Sequence, residues 1–193
     1  MKVGILILVA LLAIGVIVGG MYIDRKNQMV TKNETIKSTW AEVDVVLQRR
    51  ADLIPNLVAT VQGYAAQEQT VFHDIAAARS ALIGAGSPRA KIAANGQLDS
   101  ALSRLLVVVE NYPVLKSNEN FLRLQDELAG TENRIAVERK RYNDAIQDYN
   151  TYIGQFPNSV FAGWAGFKRN DAYFNAPEAA REAPKVTFPP PTR

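Results

Sequence analysis

The chain contains no cysteine and only one histidine, His73, among its 193 residues. The absence of cysteine excludes disulfides and thiolate-based catalytic or metal sites. Di-metal sites in helical bundles use paired Glu-x-x-His motifs on facing helices, and a single histidine cannot supply the pair. We therefore expect no metal ion and no bound cofactor.

Motifs of enzyme catalysis are also missing. The chain has no G-x-S-x-G turn for a nucleophilic serine, no phosphate-binding P-loop and no dinucleotide-binding glycine motif. A site built from carboxylates alone, using Glu68, Glu132 and Glu138, is the alternative. Most glutamates on long helices are solvated or paired with cations, so we predict that the protein is not an enzyme and has no catalytic residues.

The net charge is small. Lys and Arg number 22 and Asp and Glu number 19, which gives +3 at pH 7. The two signs are interleaved, so the sequence lacks the basic patch of a nucleic-acid-binding protein. Hydrophobic residues make up 48% of the chain, and its length fits one modest folded domain with appendages.

The longest apolar run lies at the N-terminus, from Val3 to Ile23, and carries no charge. As a helix it is long enough to cross a hydrocarbon core of roughly 30 Å. A cleaved secretory signal is the alternative, but the run is longer than the apolar core of an ordinary signal peptide. We predict a single-pass anchor over residues 1–23, with lipid-facing positions that include Val3, Leu6, Leu11, Ile17 and Ile23.

Basic residues are concentrated after this run, and residues 24–39 are polar enough to form a stalk. Only Lys2 precedes the run, whereas four basic residues follow it closely: Arg25, Lys26, Lys32 and Lys37. The positive-inside rule then places the C-terminal domain in the cytoplasm. The N-terminal tail is too short to carry much weight in this rule, so a periplasmic or other extracytoplasmic domain is the alternative.

Heptad spacing of apolar residues predicts three long helices after the stalk. The first extends from Trp40 to Leu82, and a Gly- and Pro-containing loop follows at 83–87. The second begins at Pro88 with Ser87 as its cap and ends at Tyr112, because a residue before proline disfavours the helical conformation. The third extends over 118–156, capped by Ser117 or Asn118.

These segments predict an all-α fold, a long antiparallel helical bundle within 40–175. The segment from Phe161 to Phe174 is rich in aromatics and glycine, and we expect it to pack back on the bundle as an irregular tail. Residues 176–193 are rich in proline and are predicted to be extended.

The stretch RRADLIPNLVATV, residues 49–61, contains a proline inside the first predicted helix. An internal proline costs a helix about 3 kcal/mol. The apolar heptad continues in register on both sides of Pro55, so we predict a kink rather than the end of the helix. Asp52 is expected to accept hydrogen bonds from the amides that follow the bend.

Charged residues occupy several heptad positions, where a buried charge requires a partner. Arg50 is the clearest case. We expect structural ion pairs with the glutamates at heptad positions, Glu138 and Glu68, or a side chain that extends to the edge of the bundle. Two alternatives are a polar cavity for a small charged ligand, formed by Arg50 with Asn56, Asn120 and Glu132, and a partner-binding surface. The predicted polar positions of the bundle are Arg50, Asp52, Asn56, Glu68, Glu132 and Glu138.

Three segments of the chain resemble the LemA family of bacterial membrane-anchored helical proteins. They are TWAEVDVVLQRRADLIPNLVATVQGYAAQE, LLVVVENYPVLKSNENFLRLQDELAGTENRIAVERKRYNDAIQDYN and FPNSVFAGWAGFKRNDAYF. The blocks RRADLIPNLV and NENFLRLQDELAGTENRIAVER are specific, because charged, polar and apolar residues follow in a fixed order. Residues 83–97 and 176–193 match least. The resemblance implies one N-terminal transmembrane helix and a long antiparallel bundle, and it offers no catalytic residues to transfer.

Together these features predict a non-enzymatic scaffold or interaction protein of the bacterial cytoplasmic membrane. A helical bundle that binds a small molecule or ion at a polar interior site is the alternative. The expected partners are the lipid bilayer and either a second copy or another membrane protein, with no nucleic acid and no small-molecule substrate. The third helix is expected to pass beyond the end of the first, which exposes Tyr149, Tyr152 and Phe156 unless the aromatic tail covers them.

Overall fold

The computed structural model describes residues 2–175, and all of its regular secondary structure in that range is helical, as predicted. Residues 176–193, predicted to be extended, lie outside the described residues. The helices are α1 Lys2–Gln62, α2 Gln69–Gly84, α3 Pro88–Val109, α4 Pro113–Lys116, α5 Glu119–Gly154 and α6 Asn158–Ala165.

Helix α1 is uninterrupted over 61 residues, which makes it roughly 90 Å long at 1.5 Å per residue. Its N-terminal part is the one stretch of the described chain that is long and apolar enough to cross a membrane, with a mean hydropathy of 2.9 and no burial against the protein. Residues 24–39, expected to form a polar stalk, continue this helix. They add Met29 and Ile36 to the core, at seven-residue spacing before Val43.

The prediction of one helix from Trp40 to Leu82 was wrong, because the chain turns back between Gln62 and Gln69. The turn retains helix-like hydrogen bonds, including Ala65 N–H to the Val61 carbonyl at 2.9 Å. Since α1 and α2 each bury one apolar face, the three-and-four spacing continues across the turn. A turn that keeps the heptad spacing of the apolar residues therefore cannot be recognised from that spacing alone.

The four long helices, α1, α2, α3 and α5, alternate in direction along the bundle. Helix α5 runs antiparallel to α1 and packs against it along most of the length of α5. Near the apolar run, Lys32 Nζ lies 2.6 Å from Asp148 Oδ2. At the far end, Asn118 Nδ2 donates to the Tyr64 hydroxyl at 3.0 Å. The hairpin of α2 and α3 packs on the half of α1 that lies far from the apolar run, and Ser87 caps α3 as predicted.

The helix continues through Pro55, as predicted, and α2 compensates for the missing proline N–H. Without that N–H, the carbonyl of Ala51 loses its partner within the helix. Arg79 of α2 donates its Nε–H to this carbonyl at 2.7 Å. Asp52 does not cap the following amides: it is exposed and accepts a hydrogen bond from Gln48 Nε2 at 2.9 Å.

Most of the segment from Phe161 to Phe174 packs on the half of the bundle nearest the apolar run, as expected. The expectation of an irregular conformation was wrong for its first part, which belongs to helix α6, and Trp164 is 68% exposed. Phe174 stacks on Trp40 with ring centroids 6.2 Å apart. Asn143 holds the tail by bonding both the N–H and the carbonyl of Phe174, each at 2.9 Å. Tyr149 is buried and donates to the Lys168 carbonyl at 2.9 Å.

The expectation that α5 leaves Tyr149 and Tyr152 without neighbours was wrong, because α1 begins at Lys2 and not at Trp40. Tyr149 is only 3% exposed. Tyr152 is partly buried, and Lys32 Nζ lies 5.1 Å from its ring centroid. Phe156 alone fulfils the expectation, with 85% of its surface exposed.

Candidate functional site

A buried arginine lies where α1, α3 and α5 meet. Arg50 follows Val43 by one heptad and precedes Leu57 by another, so its backbone position faces the core. Its side chain is only 8% exposed, and its Nη1 lies 2.6 Å from Asp99 Oδ1 and 2.8 Å from Glu132 Oε2. One guanidinium nitrogen thus connects carboxylates from two other helices.

Two further residues complete this site, which we call the ion cluster: Arg50, Asn95, Asp99, Glu132 and Arg139. Asn95 is buried; its Oδ1 accepts from Arg50 at 3.2 Å and its Nδ2 donates to Asp99 at 3.0 Å. Arg139 lies 3.9 Å from Asp99 and 3.8 Å from Glu132. Its guanidinium also lies 5.1 Å from the centre of the Phe174 ring, so the cluster contacts the tail.

The ion cluster has balanced charge and unequal burial. Its two arginines offset its two carboxylates. The Asp99 and Glu132 side chains are 39% and 43% exposed, whereas that of Arg50 is 8% exposed. The carboxylates therefore keep part of their hydration while they neutralise the buried cation, which lowers the desolvation penalty that a fully buried pair would incur.

An open groove of about 330 Å³ begins at the ion cluster and runs between α3 and α5. Arg50, Asp99 and Glu132 lie at one end of the groove. Most of the remaining lining is apolar and includes Leu57, Leu102, Leu105, Phe121 and Leu128. A groove of this character can hold an apolar group next to a polar end.

The single histidine of the chain lies apart from the ion cluster. His73 lies on α2 with its side chain 83% exposed, 3.8 Å from Asp74. Within residues 2–175, no group of three or more histidine, aspartate and glutamate side chains is placed to hold a metal ion. What the ion cluster shows is charge pairing across three helices.

A family model described as the LemA family matches residues 39–188. The chain belongs to the LemA family. The match includes the ion cluster, the hydrogen bond from Arg79 to the Ala51 carbonyl and the described part of the tail. It begins in the segment of α1 that follows the apolar run.

Named relatives of this LemA-family chain include magnetosome proteins. Magnetosome protein MamQ 2 of Paramagnetospirillum magneticum is 30% identical over 84% of this chain and 69% of its own length. Magnetosome protein MamQ of Magnetospirillum gryphiswaldense is 28% identical with the same coverage. Protein LemA of Metamycoplasma hominis is 25% identical over 83% of this chain and 74% of its own length. These relatives, with the apolar part of α1, support association with a membrane.

The structure brings together two of the six predicted polar positions, Arg50 and Glu132. The expected pair of Arg50 with Glu138 was wrong, since Glu138 accepts from Arg141 at 3.0 Å. The antiparallel register explains this difference. With Lys32 beside Asp148 and Tyr64 beside Asn118, Arg50 lies opposite the first half of α5 and close to Glu132.

The other predicted positions lie apart from the ion cluster. Asp52 and Asn56 are exposed on α1. Glu68 lies just before α2 and accepts from the Tyr112 hydroxyl at 3.1 Å. Asn120, predicted to line a polar cavity, is exposed and accepts from Arg123 at 2.6 Å.

Sequence reasoning missed Asn95, Asp99 and Arg139. A usable signal existed for the first two: Asn95 and Asp99 are four residues apart and flank Leu98 on the apolar face of α3, where polar side chains require partners. Arg139 had no such signal, because its contacts depend on how the tail crosses α5.

Proposed function

We propose that this LemA-family protein is a non-enzymatic, single-pass membrane anchor and scaffold of the bacterial cytoplasmic membrane. The supporting observation is the continuity of α1, which carries the apolar run and the core of the bundle on one helix. Most large side chains of that run expose 56–76% of their surface, which suits a lipid environment and is unfavourable in water.

The same helix gives the proposed scaffold a defined reach. From Ile23 to Gln62, α1 extends roughly 58 Å at 1.5 Å per residue. The turns at its far end would be held at that distance from the bilayer, where a second copy or another membrane protein could dock. Val107 and Val114, which are 70% and 69% exposed near this end, are apolar contact positions for such a partner.

Membrane anchoring can be tested by extraction of the full chain from membranes. We expect the protein to stay in the membrane pellet after high salt and after alkaline carbonate, and to dissolve only in detergent. A variant without residues 1–23 is the matched control and should leave the pellet with salt. Release of the full chain by carbonate would contradict a spanning helix.

We propose a cytoplasmic bundle, on the basis of the four basic residues that follow the apolar run; an extracytoplasmic bundle is the alternative. Because the chain has no cysteine, one introduced thiol reports its own side of the membrane. In an Asn111→Cys variant, a membrane-impermeant maleimide should label the protein only after the cells are broken open. Labelling of intact cells would instead show that the bundle is extracytoplasmic.

The scaffold role can be tested by crosslinking in membranes at native expression, followed by affinity purification and mass spectrometry. We expect a defined complex that contains a second copy or another membrane protein. Charged substitutions at Val107 and Val114 should remove the complex and leave membrane anchoring intact. A chain that remains monomeric and uncrosslinked under these conditions would contradict the role.

The groove beside Arg50 favours a second candidate function, the binding of a small amphipathic molecule. Its apolar lining suits a hydrocarbon group and the ion cluster suits a polar end. Native mass spectrometry of the purified full chain should then detect a bound small molecule, and Leu102→Trp, which fills the groove, should abolish it. An empty protein whose unfolding temperature does not respond to added acyl compounds would exclude this function.

A further inference from the structure

Helix α6 and the residue that precedes it by two positions expose a row of large apolar side chains. Phe156, Val160 and Trp164 are 85%, 41% and 68% exposed and are spaced four residues apart. This spacing places Val160 and Trp164 on one side of α6, with Phe156 leading into it. The other side of α6 is buried through Phe161 and Ala162.

This row lies level with the end of the apolar run of α1. The Phe161 ring meets the Tyr22 ring edge-on, with centroids 6.1 Å apart. On the same face of α1, Val18 and Met21 are each 40% exposed, whereas the other large aliphatic side chains of the run expose 56–76%. Since α6 contacts α1, it packs beside the last turns of the run.

We propose that α6 lies in the lipid headgroup region and that the row Phe156–Val160–Trp164 contacts the bilayer. This inference rests on the proposed anchor. Tryptophan and other aromatic side chains favour the membrane–water interface, where an apolar ring and a polar edge are both accommodated. A short helix with one apolar face can lie in that plane.

Two observations favour lipid over a protein partner on this surface. The row is continuous with the apolar surface of α1, so lipids that surround the anchor reach it without any rearrangement. Arg25 and Lys26 follow the apolar run directly, and Lys26 is exposed, so basic side chains lie at the level where anionic headgroups would be. The protein would then contact the bilayer through both the apolar run of α1 and helix α6, and two contacts fix the tilt of the bundle relative to the membrane.

Depth-dependent quenching of tryptophan fluorescence tests this contact in the full chain. The chain has two tryptophans, and Trp40 is partly buried and packs between Tyr142 and Phe174. The protein is placed in vesicles that contain anionic lipid and lipids brominated either near the headgroup or near the chain end. In a Trp40→Phe variant we expect quenching several-fold stronger than in a Trp164→Phe variant, and strongest with the shallow bromine.

Failure of the contact between α6 and lipid gives a different result from failure of the proposed anchor. If the Trp40→Phe variant fails to fold, the quenching of Trp164 is obtained instead by subtracting the quenching of the Trp164→Phe variant from that of the unmodified protein. The lipid contact would be overturned if aqueous iodide quenched the Trp164 emission and brominated lipid did not. A crosslink from position 164 to a second copy, in place of quenching by lipid, would overturn it as well. A full chain that does not float with the vesicles would instead refute the proposed anchor.

Discussion

At the residue scale, Arg50 shows how a charge is kept inside a helical bundle. The sequence predicted that this buried cation requires a partner, because heptad spacing alone places it on the core face. It did not predict which carboxylate, since Glu132 and Glu138 differ by less than two turns and only the antiparallel register distinguishes them. The contact of Arg50 with Asp99 depends on the position of α3, which follows from the turn at residues 63–68 that the sequence did not predict.

The first prediction concerns the ion cluster. Arg50→Ala should destabilise the bundle by about 2–3 kcal/mol, below the full cost of breaking a buried pair because both carboxylates are partly hydrated. Combined with Glu132→Ala, the loss should be less than additive, because the two residues share one interaction. Chemical unfolding followed by circular dichroism measures both values. Glu138→Ala is the matched control, and its effect should add simply to that of Arg50→Ala.

The second prediction concerns alkaline pH. Burial raises the pKa of Tyr142, and burial also raises the pKa of Tyr149. Above about pH 10 the unfolded chain loses these phenolic protons before the folded chain does. The stability conferred by the neutral rings is therefore complete below that pH and is lost as pH rises through the folded pKa. Tyr142→Phe should reduce the alkaline decline in unfolding free energy; an unchanged slope would contradict the assignment.

At the element scale, helix ends marked by local chemistry were predictable and the reversal after α1 was not. The third predicted helix, 118–156, agrees closely with α5, Glu119–Gly154, because Asn118 caps its start and Pro157 follows its end. The turn after Gln62 lacks a comparable stop signal, since Gly63 stands alone and the apolar spacing continues. Its existence depends on α2 packing back on α1, a tertiary effect.

The third prediction tests how α2 supports the proline in α1. Arg79→Met removes the donor to the Ala51 carbonyl and should cost about 1.5–3 kcal/mol, the range for a hydrogen bond to a charged group. In a Pro55→Ala background the restored N–H of residue 55 can bond that carbonyl, so the same Arg79 change should cost clearly less. Unfolding experiments on the four proteins of this cycle provide the test. Equal costs in both backgrounds would show that Arg79 acts independently of Pro55.

At the scale of the whole molecule, the main difference from the sequence-based expectation is that the apolar run and the bundle share one continuous helix. A polar segment at residues 24–39 is typical of a flexible stalk, and the buried positions Met29 and Ile36 within it are too sparse to indicate packing on their own. Packing against α5 orders this segment and gives α1 its length. One end of the bundle therefore lies next to the apolar run, through the contact of Tyr22 with Phe161, and we expect only the turns at its far end to stand away from the bilayer.

The fourth prediction distinguishes a rigid rod from a hinged stalk. With a fluorescent donor at Asn111→Cys and acceptor lipids in the vesicle, energy transfer should be weak, because roughly 58 Å of helix separates the far end of α1 from Ile23. A Gly-Ser linker inserted between Asn27 and Gln28 breaks the helix, allows the bundle to approach the surface and should raise the transfer. A donor at Lys26→Cys gives the high-transfer reference. If the unmodified protein and the linker variant showed equal, strong transfer, α1 would not act as a rod, and the reach required by the proposed scaffold would be lost.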